Sequence, residues 1–378
     1  MDFSNLRAFL NDIVEDVIPG VDLAVYIRHK PVFRHAAGFS DKEKGIRMKG
    51  DETYFGYSVT KLLTCVCALT LFEKGAFLMS DPIHEYLPEF KDMQVAEIDP
   101  AGSVRMRPAK RDITFRDLFT MTAGLDYNLG AKDIVETVQK TNGEAPTREI
   151  MRAIAKAPLS FDPGEHWQYS LCHDVLGGLI EVISGIRFET YMKKTLFEPL
   201  EMKSSAMHLT DALKARLAMQ YQNDGDKGVN PIGTQNHFVL GNKYDSGGAG
   251  LITSVEDYIR FADMLAMGGV GATGERILSK ATVDLMRTNH LGDTQMKDFN
   301  WIQMTGYGYG LGVRTMVDRS RGSLSPVGEF GWGGAAGAYI LIDPEREMSV
   351  YFAEHMRNSL EPFVHPRIRN ILYACLES

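Results

Sequence analysis

Ser58 and Lys61 are the residues whose types and spacing point most directly to chemistry. They open a mostly apolar stretch over residues 59–74 that predicts a helix, and Gly75 is placed to end it. Residues three apart share one helix face, so the hydroxyl and the amine can meet. Unpaired N–H groups and the helix dipole favour a serine alkoxide there, and with burial they are expected to lower the lysine pKa. The pattern indicates a nucleophilic serine, against the alternative of an N-cap serine beside a solvated lysine.

The composition is that of a globular protein with a substantial core. The 378 residues suggest about two domains, with 44% hydrophobic and 24% charged residues. A net charge of −8 argues against nucleic acid or anionic lipid as a partner, and a small molecule is expected instead. No stretch approaches the roughly 20 apolar residues of a membrane span. Residues 1–17 have the spacing of an amphipathic helix, not a signal peptide, so a cytoplasmic location is expected.

The cysteines Cys65, Cys67, Cys172 and Cys375 form no Cys-x-x-Cys pair. We therefore expect buried thiols and no zinc cluster, and the sequence predicts neither a metal nor a cofactor.

Strand patterns occur near both ends of the chain, and helical patterns lie between them. The predicted strands cover residues 21–27, 32–36, 309–313, 338–342 and 348–353. Hairpin connections favour antiparallel pairing. The fold class predicted is α/β (α+β), a mostly antiparallel sheet built from both chain ends and flanked by helices, with an inserted helical domain. Residues 1–75 and 241–378 would form the sheet domain and 76–240 the helix-rich domain, with the active site between them.

Further motifs follow the serine in a fixed order. They are Asp81-Pro82-Ile83, Leu118-Phe119-Thr120-Met121-Thr122-Ala123-Gly124-Leu125, Phe161-Asp162-Pro163-Gly164-Glu165-His166-Trp167-Gln168-Tyr169-Ser170 and Gly331-Trp332-Gly333-Gly334-Ala335-Ala336-Gly337. This order and spacing resemble the serine β-lactamase and penicillin-binding-protein superfamily, and are most similar to the class C β-lactamase-like esterases. The resemblance covers nearly the whole chain. It implies a β-lactamase/transpeptidase-like fold and an acyl-enzyme mechanism.

The resemblance also implies roles for individual residues. Ser58 would attack an acyl carbonyl, and Lys61 would hydrogen-bond to it and share its proton. Tyr169 matches the first position of the family's Tyr-x-Asn motif, and a phenol beside an ammonium has a pKa pulled below about 10. Whether Lys61 or Tyr169 is the base stays open, because strongly coupled groups titrate together. The oxyanion hole would use the backbone amides of Ser58 and Ala335.

Two departures from the family pattern bear on the substrate. Trp332 stands where lactamases carry the Lys or His that meets a substrate carboxylate, and Leu171 replaces the asparagine of Tyr-x-Asn. Both weaken recognition of a carboxylate-bearing lactam and resemble the esterase branch. An aromatic wall suits apolar acyl or alkyl groups. The predicted substrate-binding residues are Trp332, Gly333, Gly334 and Tyr127, with Phe238, Trp301 and Tyr307 as further aromatic candidates.

The leading hypothesis is a serine hydrolase, a β-lactamase-like carboxylesterase that acts on small or medium esters through an acyl-enzyme at Ser58. The alternatives are a β-lactamase or D-amino-acid peptidase of the same fold, or an acyltransferase that uses the same intermediate. A non-catalytic binding protein with a decayed site is a hypothesis from another class, and the intact Ser58, Lys61 and Tyr169 count against it. The sequence does not indicate the oligomeric state.

Overall fold

Both ends of the chain contribute strands to one large sheet. The computed structural model describes residues 1–99 and 102–377. In chain order, its strands are β1 (Gly20–Ile27), β2 (Lys30–Asp41), β3 (Ile46–Arg47), β4 (Thr53–Phe55), β5 (Gln94–Ile98), β6 (Val104–Pro108), β7 (Gln220–Asn223), β8 (Val229–Gly233), β9 (Ile252–Ser254), β10 (Tyr307–Tyr309), β11 (Arg314–Met316), β12 (Phe330–Gly333), β13 (Tyr339–Asp343), β14 (Met348–Glu354) and β15 (Met356–Arg357). Eight of them form the sheet in the order β10-β11-β12-β13-β14-β1-β2-β3. β1 and β14 pair antiparallel, so the two chain ends meet inside the sheet and confirm the predicted fold class.

Helices cover both faces of this sheet. In chain order they are α1 (Ser4–Asp16), α2 (Thr60–Glu73), α3 (Phe115–Phe119), α4 (Lys132–Lys140), α5 (Thr147–Ile154), α6 (Cys172–Ser184), α7 (Phe188–Met192), α8 (Asp211–Lys214), α9 (Val255–Ala266), α10 (Lys280–Met286), α11 (Asp293–Asp298) and α12 (Glu361–Leu376). Side chains alternate between the two faces along a strand. Val350 of β14 therefore packs in one cluster with Leu10 of α1 and Ile368 of α12. Its neighbour Tyr351 faces α9, where the ring of Tyr258 stacks on it at 4.2 Å.

The helix after the serine, α2, is buried on all sides. Every residue from Thr60 to Leu71 is buried, which accounts for a sequence that is apolar around the whole helix. Gly75 follows the helix in a left-handed conformation, with φ of 71°, and donates its N–H to the Phe72 carbonyl. α2 packs against α6, so it links the sheet side of the molecule to the helix-rich segment.

The segment between residues 76 and 240 contains α3 to α8, together with β5 to β8. α3 begins directly after Thr114 and carries a capping box, in which Thr114 and Asp117 bond to each other's backbone amides. The β5–β6 hairpin lies where the sequence predicted no strands. The division into a sheet domain and an inserted helical domain stays a prediction.

The strand predicted over residues 309–313 is wrong. β10 ends at Tyr309 and β11 begins at Arg314, and the residues between them form the turn. Gly310 donates its N–H to the Val313 carbonyl at 2.7 Å, and Gly312 has a left-handed φ of 79° that suits glycine. Turn residue Val313 is as buried as its strand neighbours, so the apolar pattern continues across the turn and hides it.

Cys65, Cys67 and Cys172 are buried thiols. Within residues 1–99 and 102–377, none of the helices is both long enough and apolar enough to cross a bilayer.

Candidate active site

Ser58 lies in a 3₁₀ turn, Tyr57–Val59, between β4 and α2. β4 pairs with β9, which anchors the residues that lead into the turn. Tyr57 adopts a left-handed backbone conformation, with φ of 48°, that a residue with a side chain keeps only when its surroundings hold it. Its buried hydroxyl donates a hydrogen bond to the side chain of Gln220. This contact supports the turn that presents Ser58, half-buried, at the start of α2.

Lys61 is fully buried and directs its ammonium towards three acceptors. Its Nζ lies 3.3 Å from the Ser58 Oγ, 3.3 Å from the Tyr127 hydroxyl and 2.8 Å from the Gly248 carbonyl oxygen. An ammonium has three protons to donate, so this arrangement satisfies a buried cation completely. The helical spacing anticipated the contact with Ser58, but not those with Tyr127 and Gly248.

The expected lowering of the Lys61 pKa does not occur. Burial acts in that direction because it disfavours the ammonium, but Tyr127, Tyr169 and Asp174 outweigh it, and the pKa of Lys61 is raised. Burial also raises the pKa of Tyr127, against the opposing effect of Lys61. The raised pKa of Lys61 keeps its side chain an ammonium beside Ser58.

Two tyrosine rings enclose this ammonium. The Nζ of Lys61 lies 4.6 Å from the ring centroid of Tyr169 and 5.1 Å from that of Tyr127. The rings stack on each other with centroids 5.6 Å apart. The Tyr169 hydroxyl accepts a hydrogen bond from the Trp332 indole at 3.4 Å. The structure thus brings Ser58, Lys61 and Tyr169 together, and places Tyr127, predicted only as a substrate-binding residue, in the same polar group.

Asp174 organises the loop that receives Lys61. One of its carboxylate oxygens accepts hydrogen bonds from the Tyr244 hydroxyl at 2.7 Å, the Ser246 hydroxyl at 2.7 Å and the Gly248 amide at 3.2 Å. The carbonyl of Gly248 is the acceptor for Lys61, so Asp174 orients it through a single residue. In the sequence, an aspartate five residues after Tyr169 is only a weak indication of a site residue. The glycine loop that it binds lies far along the chain, so no local pattern connects the two.

The predicted oxyanion turn lies against the residues that precede Ser58. A Cβ added to Gly334 would lie 2.6 Å from the carbonyl oxygen of Gly56, so the two backbones approach closely. The Gly334 amide donates to the Ala338 carbonyl at 2.8 Å, which closes the turn. Ala335 packs in the same apolar cluster as Tyr57, the neighbour of Ser58. Among the hydrogen bonds of the described residues, the amides of Ser58 and Ala335 have no protein acceptor, as an oxyanion hole requires.

Trp332 belongs to an aromatic cluster beside the site. Its indole is only 3% exposed and stacks on Tyr169 at 5.8 Å. Tyr309 meets it edge-on at 5.2 Å, and Trp301 lies 5.9 Å away. Tyr169 and Trp301 are also in contact, at 5.5 Å, so the cluster forms one wall that ends at the Tyr169 hydroxyl.

Tyr307 does not belong to this wall. Its hydroxyl donates to Glu329, which is paired with the buried Arg314 at 2.9 Å. Tyr307 was a candidate for the aromatic pocket, and this prediction is wrong, because its side chain belongs to a buried ion-pair network.

Only one group of three potential metal ligands occurs among residues 1–99 and 102–377, formed by Glu189, His208 and Asp245. Asp245 already binds Arg187 at 2.6 Å and His208 at 2.8 Å. The guanidinium supplies the positive charge that a metal would bring, so the group is a satisfied ion-pair network.

Comparisons with known proteins show the family and the fold of this chain. The sequence profile of the Beta-lactamase family matches residues 6–372. Among the relatives whose names state an activity, Esterase EstB of Burkholderia gladioli is 26% identical over 380 residues, covering 93% of this chain and 90% of that protein. Acyltransferase calJ of Penicillium decumbens is 24% identical over 378 residues, covering 93% and 87%.

A solved structure shows the same fold. EstCE1, described as a hydrolase with promiscuous acyltransferase activity, superposes with a TM-score of 0.78 at 22% identity, over 100% of this chain and 98% of that one. The family profile spans nearly every residue from α1 to α12, and it includes the turn of Ser58 and the strand of Trp332. This chain therefore belongs to the Beta-lactamase family.

Proposed function

We propose that the protein is a serine hydrolase, a carboxylesterase that acts on small or medium esters through an acyl-enzyme at Ser58. The observation that carries the proposal is the 3.3 Å contact between the Ser58 hydroxyl and the buried Lys61 ammonium. A buried cation beside a hydroxyl stabilises the alkoxide that attacks an acyl carbonyl. The relationship to Esterase EstB supports the same reaction class.

In the proposed first step, the Ser58 Oγ bonds to the ester carbonyl carbon and gives its proton to the phenolate form of Tyr169. The raised pKa of Lys61 supports this assignment, because an ammonium cannot take up another proton but can stabilise a phenolate. Burial raises the pKa of Tyr127, which counts against that phenol as the base. The amides of Ser58 and Ala335 would hold the negative oxygen of the tetrahedral intermediate.

In the steps that follow, the alkoxide leaves with the proton held by Tyr169, and Ser58 stays acylated. Water then attacks the acyl carbonyl carbon and gives one proton to the phenolate of Tyr169. The bond between that carbon and the Ser58 Oγ breaks as Tyr169 returns the proton to Ser58, which releases the carboxylic acid and restores the resting site. In each half-reaction, Tyr169 first accepts a proton from the attacking oxygen and then gives it to the leaving oxygen.

An acyltransferase is the second candidate, and the relationship to Acyltransferase calJ favours it. Water and an alcohol compete for one acyl-enzyme, so the two activities differ only in the acceptor. A β-lactamase or D-amino-acid peptidase is disfavoured because Trp332 offers a buried indole where a cation would bind a substrate carboxylate.

Purified protein incubated with p-nitrophenyl butyrate tests the proposal. We expect turnover, labelling by a fluorophosphonate, and a mass increase of one acyl group on the peptide that contains Ser58. Ser58→Ala should lose all three, whereas Ser80→Ala, which changes an exposed serine, should keep them. Circular dichroism and the urea midpoint of both variants separate a lost nucleophile from a lost fold. Undiminished turnover in folded Ser58→Ala would refute the acyl-enzyme, and nitrocefin turnover equal to ester turnover would favour a lactamase.

A further inference from the structure

The oxyanion turn, residues 334–337, carries the amide of Ala335, one of the two proposed oxyanion donors. Gly337 donates its N–H to the Gly334 carbonyl at 2.8 Å, which closes the turn on itself. This bond does not use the Ala335 amide. The direction in which that N–H points therefore depends on how the rest of the turn is held.

His365 of α12 supplies a side-chain donor to this turn. Its Nε2 lies 3.1 Å from the carbonyl oxygen of Gly337. A carbonyl oxygen only accepts, so Nε2 carries the proton of the imidazole in this contact. The ring also lies close to the residue before the turn, because a Cβ added to Gly333 would be 3.5 Å from the His365 Cε1. His365 thus approaches the oxyanion turn at both of its ends.

The His365 ring is itself fixed by packing. It is buried and lies against the ring of Tyr339, with centroids 4.5 Å apart. Val364 and Ile368, on the same helix, pack in one cluster with Val350 of the sheet. Burial lowers the pKa of His365 to about 3, so the ring is a neutral donor at ordinary pH. A donor on a packed helix holds its acceptor in a defined place.

A second buried side chain limits the movement of the turn. A Cβ added to Gly337 would lie 2.1 Å from the Cγ and Cδ of Glu354, so the glutamate packs directly against this glycine. Two residues further on, the N–H of Met356 donates to the Ala336 carbonyl at 3.3 Å. The end of the turn is therefore held between the Glu354 side chain and the hydrogen bond from His365.

We propose that His365 is a positioning residue for the oxyanion hole, because its hydrogen bond to Gly337 directs the Ala335 amide towards the tetrahedral intermediate. The inference rests on the proposed acyl-enzyme at Ser58. The negative oxygen forms only after Ser58 attacks the carbonyl carbon. Loss of the His365 bond should therefore weaken binding of the transition state and leave binding of the ester largely unchanged.

Three substitutions of His365 test the role of its hydrogen bond. His365→Phe keeps a ring and removes the donor. The amide nitrogen of a glutamine lies as many bonds from Cβ as the Nε2 of histidine, whereas that of an asparagine reaches only the place of Nδ1. We expect kcat for p-nitrophenyl acetate to fall by about tenfold in His365→Phe and His365→Asn, less than for a complete loss of the donor, with KM within about twofold. His365→Gln should recover most of the wild-type kcat.

Inhibition by butyl trifluoromethyl ketone is a readout that a merely structural role would not move. The ketone carbon bonds to the Ser58 Oγ, and the carbonyl oxygen becomes the negative oxygen that the oxyanion hole binds. Its Ki should rise by about tenfold in His365→Phe and His365→Asn but stay near the wild-type value in His365→Gln. Titration with a fluorophosphonate counts the active sites, so that kcat refers to folded protein. His84→Phe, in which the replaced ring lies 3.3 Å from Asp112, is the matched control and should keep both values.

Unchanged kcat and Ki in folded His365→Phe would overturn the inference. So would an Asn variant as active as the Gln variant, or a loss of kcat without a rise in Ki. If His365→Phe does not fold, the Gln and Asn variants decide. Wild-type Ser58 that neither the ester acylates nor the fluorophosphonate labels would count against the acyl-enzyme itself, whereas a labelled wild type with an unaffected His365→Phe counts against the role of His365 alone.

Discussion

Lys61 binds the carbonyl oxygen of Gly248 at 2.8 Å, closer than the hydroxyl of Ser58, which lies 3.3 Å from the same nitrogen. A carbonyl held in place by Asp174 thus fixes the ammonium before a substrate arrives. The remaining two protons point at hydroxyls, Ser58 on one side and Tyr127 on the other. Such fixed orientation of a buried charge costs no reorganisation during the reaction.

Replacing Lys61 by Met removes the charge and keeps the length of the side chain. We expect kcat/KM for p-nitrophenyl acetate to fall by about 10³-fold, because the cation that stabilises both the alkoxide and the phenolate is lost. Stability should change by no more than about 1–3 kcal/mol, since apolar replacement of a buried charge is often tolerated. The Gly248 carbonyl and the hydroxyls of Ser58 and Tyr127 each lose one hydrogen-bond donor. Lys74→Met, an exposed change just after the same helix, is the control. Equal activity in the two variants would contradict the role assigned to Lys61.

The two tyrosines beside Lys61 should differ in their contribution. Tyr169→Phe is expected to lower kcat by about 10²–10³-fold, because it removes the proposed proton carrier. Tyr127→Phe should lower kcat by about tenfold, because it removes one of three acceptors of the ammonium but no proton transfer step. Steady-state and single-turnover rates with p-nitrophenyl acetate measure both. A larger loss in Tyr127→Phe would transfer the proton step to Tyr127.

Gly334 is the residue where a single methyl group should disturb the oxyanion turn. A Cβ there would lie 2.6 Å from the Gly56 carbonyl oxygen, so the turn must move away from Ser58. We expect Gly334→Ala to lower kcat by about 10–10²-fold, somewhat less than the complete loss of an oxyanion donor. At Gly130 the nearest atom would be the Asn128 Oδ1 at 3.4 Å, and Gly130→Ala should leave kcat and the urea midpoint close to wild type. Full activity in Gly334→Ala would argue that the turn does not take part.

The buried His355 should make the free energy of unfolding depend on pH, and His355→Phe should remove that part of the dependence. Burial lowers its pKa to about 4, whereas an unfolded histidine titrates near its ordinary value of about 6.5. Below that value the unfolded chain binds the extra proton, so the contribution of His355 to stability is complete above pH ~6.5 and falls as the pH falls towards 4. His355 packs against the rings of Tyr54 and Phe55, where a phenylalanine ring can replace it.

We therefore expect His355→Phe to gain stability over the wild type by up to about 3 kcal/mol between pH 6.5 and 4, as urea denaturation across that range would show. Burial raises the pKa of Asp22 to about 6 and that of Glu361 to about 7, so both carboxyl groups change stability with pH in the opposite direction. They do so equally in the wild type and in His355→Phe. The difference in unfolding free energy between the two proteins therefore isolates His355. A difference that is constant with pH would mean that His355 stays accessible to protons in the folded state.

Local sequence patterns predicted many of the strands and helices. They failed where a residue is buried in a turn and not in a strand. The strands β13 and β14 are short, mostly apolar runs that are buried at every position, and such runs depend on near neighbours, so the sequence predicted them well. Val313 is a contrasting case, because a buried turn residue carries the same apolar signal as a strand. An apolar side chain indicates that a residue is buried but not whether it lies in a strand or a turn. Glycines such as Gly312 indicate where the backbone turns.

The sequence by itself determined that Ser58 and Lys61 share one face of an apolar helix, because three residues of helical spacing require it. The tertiary structure alone decided that Tyr127 and Gly248 complete the shell of the ammonium and that its pKa is raised instead of lowered. It also decided that Phe238 packs edge-on against Tyr57, the neighbour of Ser58. These relationships join residues far apart in the chain, and their energies depend on burial and on distances between atoms that no local pattern contains.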